Sequence, residues 1–494
     1  MPALPIRLAA LVLLFVAVGG CGQDGASASA PPPGAPTPAA PPGASAAATG
    51  DAPQSAAAII HAPDDPAKIA GLKANVKHII VIYQENWSFD GLYGKFPGAN
   101  GLANAGKAVI QVDLAGHPYT QMPTCYFVDD DKKTISVDPR IPRGLPMAPF
   151  DLKGIYKPDE VTGDLVHRFY QEQWQIDGGK MDRYACYSDA GGFTMSYYDG
   201  SQMPEGKLAT QYTLCDNYFH AAFGGSFLNH MWLIAARTPY WGDAPAKYRS
   251  EVYNGTLVRD AQLTPDGYAV NTIYSVYKPW VKGKPGPLPP LTFPTIGDRL
   301  DDAKVDWAWY SGGFDNAMAG HPDEEFQFHH QPFTYFKNFG DENAPGHRHL
   351  QDETQFEAGL KTGNIPPVCF VKPLGDYNEH PGYARLQAGQ EHAAELVQAI
   401  MDSPVWKDSI VIITYDENGG RWDHVPPPKV DAWGPGTRVP LLVISPFAKK
   451  HFIDSTEYDT TSILRLIESR WDLPPLTTRD QNVNNMLNAL DFNP

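Results

Sequence analysis

The stretch Ser409-Ile-Val-Ile-Ile-Thr-Tyr415 runs directly into Asp416-Glu417-Asn418-Gly419-Gly420, which predicts a buried strand with an acidic carboxyl end. A second run of the same kind, His78-Ile-Ile-Val-Ile-Tyr83, leads into Gln84-Glu85-Asn86. Neither run alternates apolar with polar residues, which is typical of strands covered on both faces, as in a parallel sheet between helices. The two stretches therefore predict an α/β sheet with acidic side chains at one edge.

Further apolar runs of strand length occupy residues 305–310, 368–371 and 439–445. Helical patterns separate them, at residues 391–401 and 460–471. Strands and helices in alternation predict one α/β domain with a doubly wound, mostly parallel sheet and helices on both faces.

Composition limits the classes of protein to which the chain can belong. Its 494 residues are 43% hydrophobic and 19% charged, which suits a globular protein with a large core. Lys and Arg number 39 against 56 Asp and Glu, a formal net charge of −17, which disfavours nucleic acid as a partner. Residues 117–165 and 240–295 are rich in Pro, Gly and Tyr without a clear period, so we expect loop-rich cap insertions there.

The amino terminus predicts export. Residues 1–21 combine Arg7 with an uncharged apolar run too short to span a bilayer, as in a signal peptide, and residues 18–21 resemble the bacterial lipobox that ends in a lipid-bearing Cys21. An ordinary cleaved signal is the alternative. Residues 22–66, mostly Ala, Pro, Gly and Ser, predict a disordered linker, and we expect residues 67–494 to form the folded domain. We expect a periplasmic or cell-surface lipoprotein, or a secreted protein, that meets a membrane only through this anchor.

The remaining cysteines are even in number, which suits an oxidising compartment. Four cysteines permit three disulfide pairings, and sequence does not choose among them. They are Cys125, Cys186, Cys215 and Cys369.

Ligands of open parallel sheets bind beyond the carboxyl ends of the strands. Glu85 with Asn86, and Asp416 with Glu417, would place hard oxygen ligands there for a divalent cation. A single acidic strand end is more often a solvated turn, but two such ends favour a metal. Asp423-His424, a few residues later, offers further ligands or a general acid/base pair.

Ser226 is the candidate nucleophile. It follows Gly224-Gly225 and precedes an apolar, helix-like stretch at residues 231–236, so it would sit where a helix amino terminus favours an anion. A plain helix cap is the alternative. The spacing is not Gly-x-Ser-x-Gly, so an α/β-hydrolase elbow is not supported, and we assign no role to His230.

Histidines gather late in the chain, at His329-His330, His347, His349 and His380. Adjacent histidines of an extended segment point to opposite faces, so His329 and His330 need a turn to reach one point. With the acids, Ser226 and Lys180 as a further cation, they suit phosphoryl transfer, which requires donors and cations around dispersed charge.

The chain resembles the bacterial phosphoesterase family of phospholipases C and acid phosphatases of the A type, within the alkaline phosphatase superfamily. The matching motifs span nearly the whole core in order. They are His-Ile-Ile-Val-Ile-Tyr-Gln-Glu-Asn-Trp-Ser-Phe-Asp (residues 78–90), Gly-Lys-Met-Asp (179–182), Gly-Gly-Ser-Phe-Leu-Asn (224–229), Tyr-Asp-Glu-Asn-Gly-Gly (415–420), Asp-His-Val-Pro-Pro-Pro (423–428), Gly-Thr-Arg-Val-Pro (436–440) and Thr-Ser-Ile-Leu-Arg-Leu-Ile-Glu (461–468).

The resemblance implies an alkaline-phosphatase-like fold and a divalent metal of undefined identity. The implied metal ligands are Glu85, Asn86, Ser226, Asp416 and Glu417, with Ser226 also the nucleophile that forms a phosphoserine. The implied residues around the phosphoryl group and leaving group are His329, His330 and His380, with Lys180 and Asp423 or His424 as further site members. One departure is Trp87, where the family commonly has Arg, which leaves open how the Glu85–Asn86 loop is braced.

Three functions remain at this point. The chain ends at Pro494 soon after the last core helix, whereas larger phospholipases C carry extra carboxyl-terminal domains, so we expect an acid phosphatase acting on phosphate monoesters. The alternative is a phospholipase C, for which aromatic residues of the 240–310 region could line a lipid or choline site. A non-catalytic anion-binding lipoprotein is the third, and the intact Ser226 argues against it.

Overall fold

The computed structural model describes residues 63–129, 132–253 and 256–492. Most of its regular structure belongs to one central sheet and the helices around it. The strands, in chain order, are β1 (His78–Gln84), β2 (Tyr126–Asp129), β3 (Thr134–Val137), β4 (Phe150–Asp151), β5 (Ser196–Tyr197), β6 (Thr213–Cys215), β7 (Tyr218–Phe219), β8 (Glu251–Tyr253), β9 (Thr256–Arg259), β10 (Trp307–Ser311), β11 (Leu350–Asp352), β12 (Val368–Lys372), β13 (Ser409–Tyr415), β14 (Leu441–Ile444), β15 (Phe452–Asp454) and β16 (Tyr458–Asp459).

The α-helices range from one turn to 17 residues, the longest being the eleventh. In chain order they are α1 (Pro66–Asn75), α2 (Phe89–Tyr93), α3 (Phe169–Ile176), α4 (Tyr184–Tyr187), α5 (Pro204–Gln211), α6 (Ser226–Ala235), α7 (Ile296–Asp302), α8 (Phe314–Met318), α9 (Ala344–His347), α10 (Glu353–Thr362), α11 (Leu386–Asp402), α12 (Thr461–Trp471) and α13 (Thr478–Gln481).

The central sheet has eight strands in the order β11-β10-β12-β1-β13-β14-β6-β15. Neighbouring strands are parallel except at β14, which runs antiparallel to both β13 and β6. This confirms the mostly parallel α/β sheet. The run at residues 439–445 was expected among the parallel strands, and the structure makes its strand the antiparallel one, because burial on both faces produces the same apolar pattern in either direction.

Helices cover both faces of the sheet. Successive residues of a strand point to opposite faces, so the contacts of two neighbouring β1 residues show what covers each face of the sheet. The Tyr83 hydroxyl donates to the carbonyl oxygen of Asn229 in α6, while the Gln84 side chain donates to the carbonyl oxygen of Gly389 in α11. The helices α6 and α11 therefore lie on opposite faces, as a doubly wound sheet requires.

The two loop-rich segments contact loops beyond the carboxyl ends of the strands. In the first, the Thr162 carbonyl oxygen accepts from the backbone N–H of Gly382, after β12. In the second, the Ile273 carbonyl oxygen accepts from the Tyr335 hydroxyl, after β10. The described parts of residues 117–165 and 240–295 thus lie where cap insertions were predicted.

The predicted signal peptide, the lipobox at residues 18–21 and most of the predicted linker lie outside the described residues. The part of the chain that the structure describes has no helix with both the length and the apolar character needed to cross a bilayer.

The four core cysteines are free thiols, so none of the three disulfide pairings forms. Cys369 lies on β12 and Cys215 on β6, and three strands stand between these two in the sheet. Neighbouring strands are about 4.8 Å apart, so the pair is far beyond the reach of a disulfide. Burial raises the pKa of both thiols well above the usual value.

We predict four titratable thiols in a Cys21→Ala variant that is unfolded without reductant. Ellman's reagent should count four equivalents under these conditions and react much more slowly with the folded protein, because burial disfavours the reactive thiolate. Prior treatment with a reductant is the control and should leave the count unchanged. A count of two or fewer before reduction would show that disulfides form.

Candidate active site

The two acidic strand ends meet because β1 and β13 are parallel neighbours in a fixed register. Gln84 pairs with Tyr415, so the residues that follow each of them leave the sheet side by side. The backbone N–H of Asp416 donates to the Gln84 carbonyl oxygen at 3.0 Å and continues the ladder. The four predicted ligands that follow these strands, Glu85, Asn86, Asp416 and Glu417, are fully buried at this edge.

Ser226 is the first residue of α6, as the sequence predicted. Its hydroxyl oxygen lies 3.5 Å from Oε1 of Glu417, within reach of a hydrogen bond. One turn further along, Nδ1 of His230 lies 2.7 Å from the Ser226 carbonyl oxygen. A carbonyl only accepts, so Nδ1 carries the proton and Nε2 of neutral His230 presents a lone pair. Burial, followed by the nearby Lys372, holds the pKa of His230 well below its usual value.

A buried clamp sets the loop before Ser226. Gly224 has a φ of +92°, in the left-handed region that glycine tolerates, and a Cβ there would lie 2.5 Å from the backbone N of Phe169. The Glu172 carboxylate accepts from the Gly224 N–H at 2.5 Å and from the Thr437 N–H at 2.8 Å. The amide of Asn229, on α6, donates to the carbonyl oxygens of Ala222 and Gly224. These contacts position the nucleophile from both sides.

Glu172, the centre of this clamp, also forms a buried ion pair with His220. Nε2 of His220 lies 2.8 Å from its Oε1, and both side chains are buried. Burial alone would raise the pKa of Glu172, but His220 and the backbone donors lower it overall. The carboxylate is therefore held in its charged, accepting form.

Three of the predicted histidines, His329, His330 and His380, converge on the same place, whereas His347 and His349 contact Phe339 and Trp307 instead. A single 3-10 turn at Phe328–His330 supplies the turn that the adjacent pair requires. The rings of His329 and His330 are 4.6 Å apart, and His330 stacks on His230 at 5.1 Å. Nε2 of His330 contacts Oε1 of Glu85.

The third predicted member of this group, His380, lies at the opposite end of the same cluster. Its ring stacks on Tyr383 at 4.4 Å, and the Tyr383 hydroxyl donates to Oε2 of Glu85 at 3.3 Å.

Sequence reasoning missed three members of the site. Lys372 ends β12, beside β1, and its Nζ lies 2.7 Å from Oε1 of Glu85, fully buried. His230 was seen but assigned no role. His167 follows the first cap insertion in the chain, and its Nε2 lies 3.7 Å from Oε1 of Glu417. Lys372 could be predicted from the sequence, since it follows an apolar run in the same way as Glu85. No motif or spacing in the sequence indicates His167.

The electrostatics of the site suit a bound cation. Burial, followed by neighbouring carboxylates, raises the pKa of Asp416 and of Glu417 well above the usual range. Burial also opposes ionisation of Glu85, but His330 and Lys372 hold its pKa well below the usual range. Buried carboxylates are costly unless a cation offsets them.

Several atoms are oriented as ligands would be. Among the described residues, Oδ1 of Asn86, Oδ2 of Asp416 and Nε2 of His230 have no hydrogen-bond partner although they are buried. Glu85, His230 and His330 present ligand atoms within 4.8 Å of one another. The donor set of carboxylate and amide oxygens with imidazole nitrogens fits a divalent metal.

Lys180 is not brought to this group. Its side chain is largely exposed, and its Nζ binds Oδ2 of Asp177 at 2.6 Å. The reason is local, because Lys180 follows a short turn that leaves it three residues from an acidic partner at the surface.

Asp423 and His424 form a second buried cluster with Asp90 and Arg438. Nδ1 of His424 lies 2.6 Å from Oδ2 of Asp90, and Asp423 accepts from the Asp90 N–H at 2.9 Å. The Arg438 guanidinium pairs with both aspartates, at 3.1 and 3.2 Å. These contacts tie the loop after β1 to the loop after β13, and within the described residues none of them reaches Ser226 or Glu85. Arg438 already supplies the cationic charge here.

The structure also explains Trp87, the departure from the family pattern. The Trp87 indole N–H donates to the Glu379 carbonyl oxygen at 3.2 Å. The Arg421 guanidinium stacks 3.8 Å from the centre of the Trp87 ring. Arg421, from the loop after β13, thus supplies a guanidinium beside residue 87. Its contact with the Trp87 ring braces the Glu85–Asn86 loop.

We predict that Glu172→Ala lowers the free energy of unfolding by about 3–5 kcal/mol, because it leaves a buried cation partner and backbone donors without their acceptor. Denaturant unfolding curves measure this. Gln173→Ala on the same helix is the matched control, since the Gln173 side chain donates only within α3, to Phe169. Equal losses in the two variants would contradict the clamp.

Comparison with known proteins places the chain in a family. It belongs to the Phosphoesterase family, whose family model matches residues 76–474. Phospholipase C B of Mycobacterium tuberculosis is 25% identical over 464 residues, which cover 85% of this chain and 79% of that protein. Non-hemolytic phospholipase C of Burkholderia pseudomallei is 24% identical over 442 residues, 81% of this chain and 56% of that protein. The chain is a hydrolase acting on phosphoric ester bonds.

Similar solved structures are more distant. A sulfatase from Pseudoalteromonas has a TM-score of 0.36 and 9% identity, covering 88% of this chain and 79% of that one. A protein described as a member of the alkaline phosphatase superfamily, from Vibrio parahaemolyticus, has a TM-score of 0.32 and 10% identity, covering 58% and 64%. Scores this low carry no argument about substrate.

Proposed function

We propose that this protein is a metal-dependent phospholipase C that uses Ser226 as its nucleophile. The observation that carries the proposal is the Ser226 hydroxyl at the start of α6, hydrogen-bonded to Glu417 and surrounded by buried acids and histidines. The relatives described above are phospholipases C, which favours this function over the acid phosphatase that we expected from sequence. A monoester phosphatase remains as the second candidate and an outcome of the test.

The metal would be held by Glu85, Asn86, Asp416 and Glu417, with His230 and His330 as the nearest imidazole donors. A bound divalent ion supplies positive charge that favours the ionised Ser226 hydroxyl and offsets charge on the phosphoryl oxygens.

The protein's own residues account for the other requirements. The backbone N–H groups at the start of α6 face the position of Ser226 and favour a phosphoryl group there. As Oγ of Ser226 attacks and its bond to phosphorus forms, the hydroxyl proton passes to Glu417, which the hydroxyl contacts, and the bond to the leaving alkoxide breaks. The leaving alkoxide takes up this proton from Glu417 through water, and a further water then hydrolyses the phosphoserine. Burial lowers the pKa of His329 and of His330, so these two neutral imidazoles act with His380 as hydrogen-bonding groups around the phosphoryl oxygens and the leaving group. Lys372 adds fixed positive charge.

An aromatic row favours a diester with an apolar or choline-bearing part. We define it as Tyr240, Tyr268, Trp433 and Phe169, whose successive rings lie 4.9, 4.7 and 6.0 Å apart. Tyr240 is half exposed, and Phe169 packs against Gly224, two residues before Ser226. The row therefore leads from the surface to the nucleophile's loop, and aromatic faces suit both lipid and quaternary ammonium groups.

We predict that the protein hydrolyses p-nitrophenylphosphorylcholine faster than p-nitrophenyl phosphate at equal concentration. Ser226→Ala should lower the rate by about 10³-fold or more, because the covalent step is lost. Treatment with a chelator should abolish activity, and added divalent metal should restore it. Preference for the monoester would indicate an acid phosphatase, and a rate unaffected by Ser226→Ala would refute the mechanism.

We also propose export through the amino-terminal segment, with Cys21 as the lipid-bearing residue. Cells grown with labelled palmitate should incorporate label into the wild-type protein and not into Cys21→Ala, since the thiol is the acylation site. An unlabelled wild-type protein in the culture medium would instead support an ordinary cleaved signal.

A further inference from the structure

A pair of buried carboxyl groups lies directly behind the candidate metal ligands. Glu205, on α5, and Glu379, in the loop after β12, are both fully buried. The Tyr415 hydroxyl lies 3.0 Å from Oε2 of Glu205 and 2.8 Å from Oε2 of Glu379, so the two carboxyl groups converge on one hydroxyl. Two negative charges this close in a buried setting repel each other strongly.

The two carboxyl groups have more acceptor oxygens than the hydrogen-bond donors around them can satisfy. Gln84 and Gln390 each donate one amide hydrogen to Glu379, at 3.0 Å. Tyr415 has a single hydroxyl hydrogen for two carboxyl oxygens. Oε1 of Glu205 has no hydrogen-bond partner, although it is buried.

Within the described residues, no Lys, Arg or His forms an ion pair with Glu205 or Glu379. The titratable groups that face the pair are the hydroxyls of Tyr93, from α2, and Tyr415, from β13. Burial raises the pKa of both hydroxyls well above the usual value, so neither tyrosine adds charge here.

We propose that Glu205 and Glu379 share a proton, and that this proton-linked pair is a positioning unit that sets the spacing of the two metal-ligand loops. The proton follows from the geometry alone, whereas the positioning of a metal site rests on the proposed function.

Glu379 contacts each loop at the residue beside its ligands. Its carboxyl group binds Gln84, which precedes Glu85, and Tyr415, which precedes Asp416. Its carbonyl oxygen accepts from the indole of Trp87, which follows Asn86. His380 comes next in the chain. One side chain and its backbone thus hold both strand ends and a histidine of the site.

The backbone around Glu379 is built for this position. Glu379 has a φ of +74°, in the left-handed region that is unfavourable for a residue other than glycine. A Cβ on Gly389 would lie only 2.2 Å from Cγ of Glu379, so α11 has a glycine where the carboxyl group crosses it. Such strain persists only where surrounding contacts hold it in place.

Proton affinities agree with this arrangement. Burial raises the pKa of Glu205 to about 7, and burial followed by Glu205 raises the pKa of Glu379 well above its usual value. In the unfolded chain a glutamate titrates near about 4.3. The pair's contribution to stability is therefore full below that pKa and is lost as the pH rises through the folded value near 7.

The shared proton is tested by measuring the melting temperature as a function of pH. The melting temperature of the wild type should fall between about pH 5 and about pH 8, and Glu205→Gln should reduce this fall, because the amide does not titrate. Glu391→Gln, an exposed glutamate on α11, is the matched control and should follow the wild type. A Glu205→Gln profile identical to the wild type would overturn the shared proton.

Positioning is tested by Mn²⁺ binding, measured from the signal of the free ion by electron paramagnetic resonance. Glu379→Ala should weaken binding by about 10- to 100-fold, as for other residues that orient metal ligands. Glu379→Gln should restore most of it, because an amide donates and accepts as a protonated carboxyl group does. Equal binding by wild type and Glu379→Ala, or equal losses in Ala and Gln, would overturn the positioning role.

The two proposals fail in distinguishable ways. Mn²⁺ binding that is lost in Glu85→Gln and depends on Glu379, in a protein that hydrolyses neither ester, would support the positioning unit and refute the phospholipase. Ester hydrolysis that needs Ser226, with Mn²⁺ binding insensitive to Glu379→Ala, would do the reverse.

Discussion

Parallel pairing of β1 with β13, with Gln84 opposite Tyr415, is the constraint on which the site depends. Side chains alternate between the faces of a strand, so a slip of one residue would send every side chain of β1 to the wrong face. The register places Glu85 and Asn86 beside Asp416 and Glu417. It also turns Tyr83 toward α6 and Gln84 toward α11, so the same pairing orients the nucleophile's helix and the carboxyl pair behind the ligands.

Charge balance explains most of what surrounds these loops. The core of a protein does not accept carboxylates without compensation, and this edge buries several. Lys372 neutralises Glu85, Arg438 neutralises Asp90 and Asp423, and His220 neutralises Glu172. Asp416 and Glu417 have only imidazole nitrogens nearby, from His230 at 3.8 Å and His167 at 3.7 Å, which is consistent with a metal. Glu205 and Glu379 have no cationic partner among the described residues, which is consistent with a shared proton.

The sequence could predict the parts of the site that follow strands. Glu85 and Asp416 each end an apolar run, and runs of this kind become neighbours in a parallel sheet. Lys372 also follows an apolar run, so the same reasoning predicts it as a member of the site. Lys180 is predicted as a further cation and lies in the Gly-Lys-Met-Asp motif, but in the structure its side chain pairs at the surface with Asp177, three residues earlier. Asp423 and His424 are predicted as site members, whereas in the structure they pair with Asp90 and Arg438, which are remote in sequence.

Local sequence determined the mostly parallel α/β sheet, the buried acidic strand ends and the start of α6 at Ser226, because apolar runs and helix-capping positions are properties of neighbouring residues. Tertiary structure decided the direction of β14, the free state of the four thiols, the convergence of His167, His230 and His330, and the pairing of Glu205 with Glu379. These depend on which distant segments meet, and burial of charge, which no local pattern contains, selects among the arrangements that local structure allows.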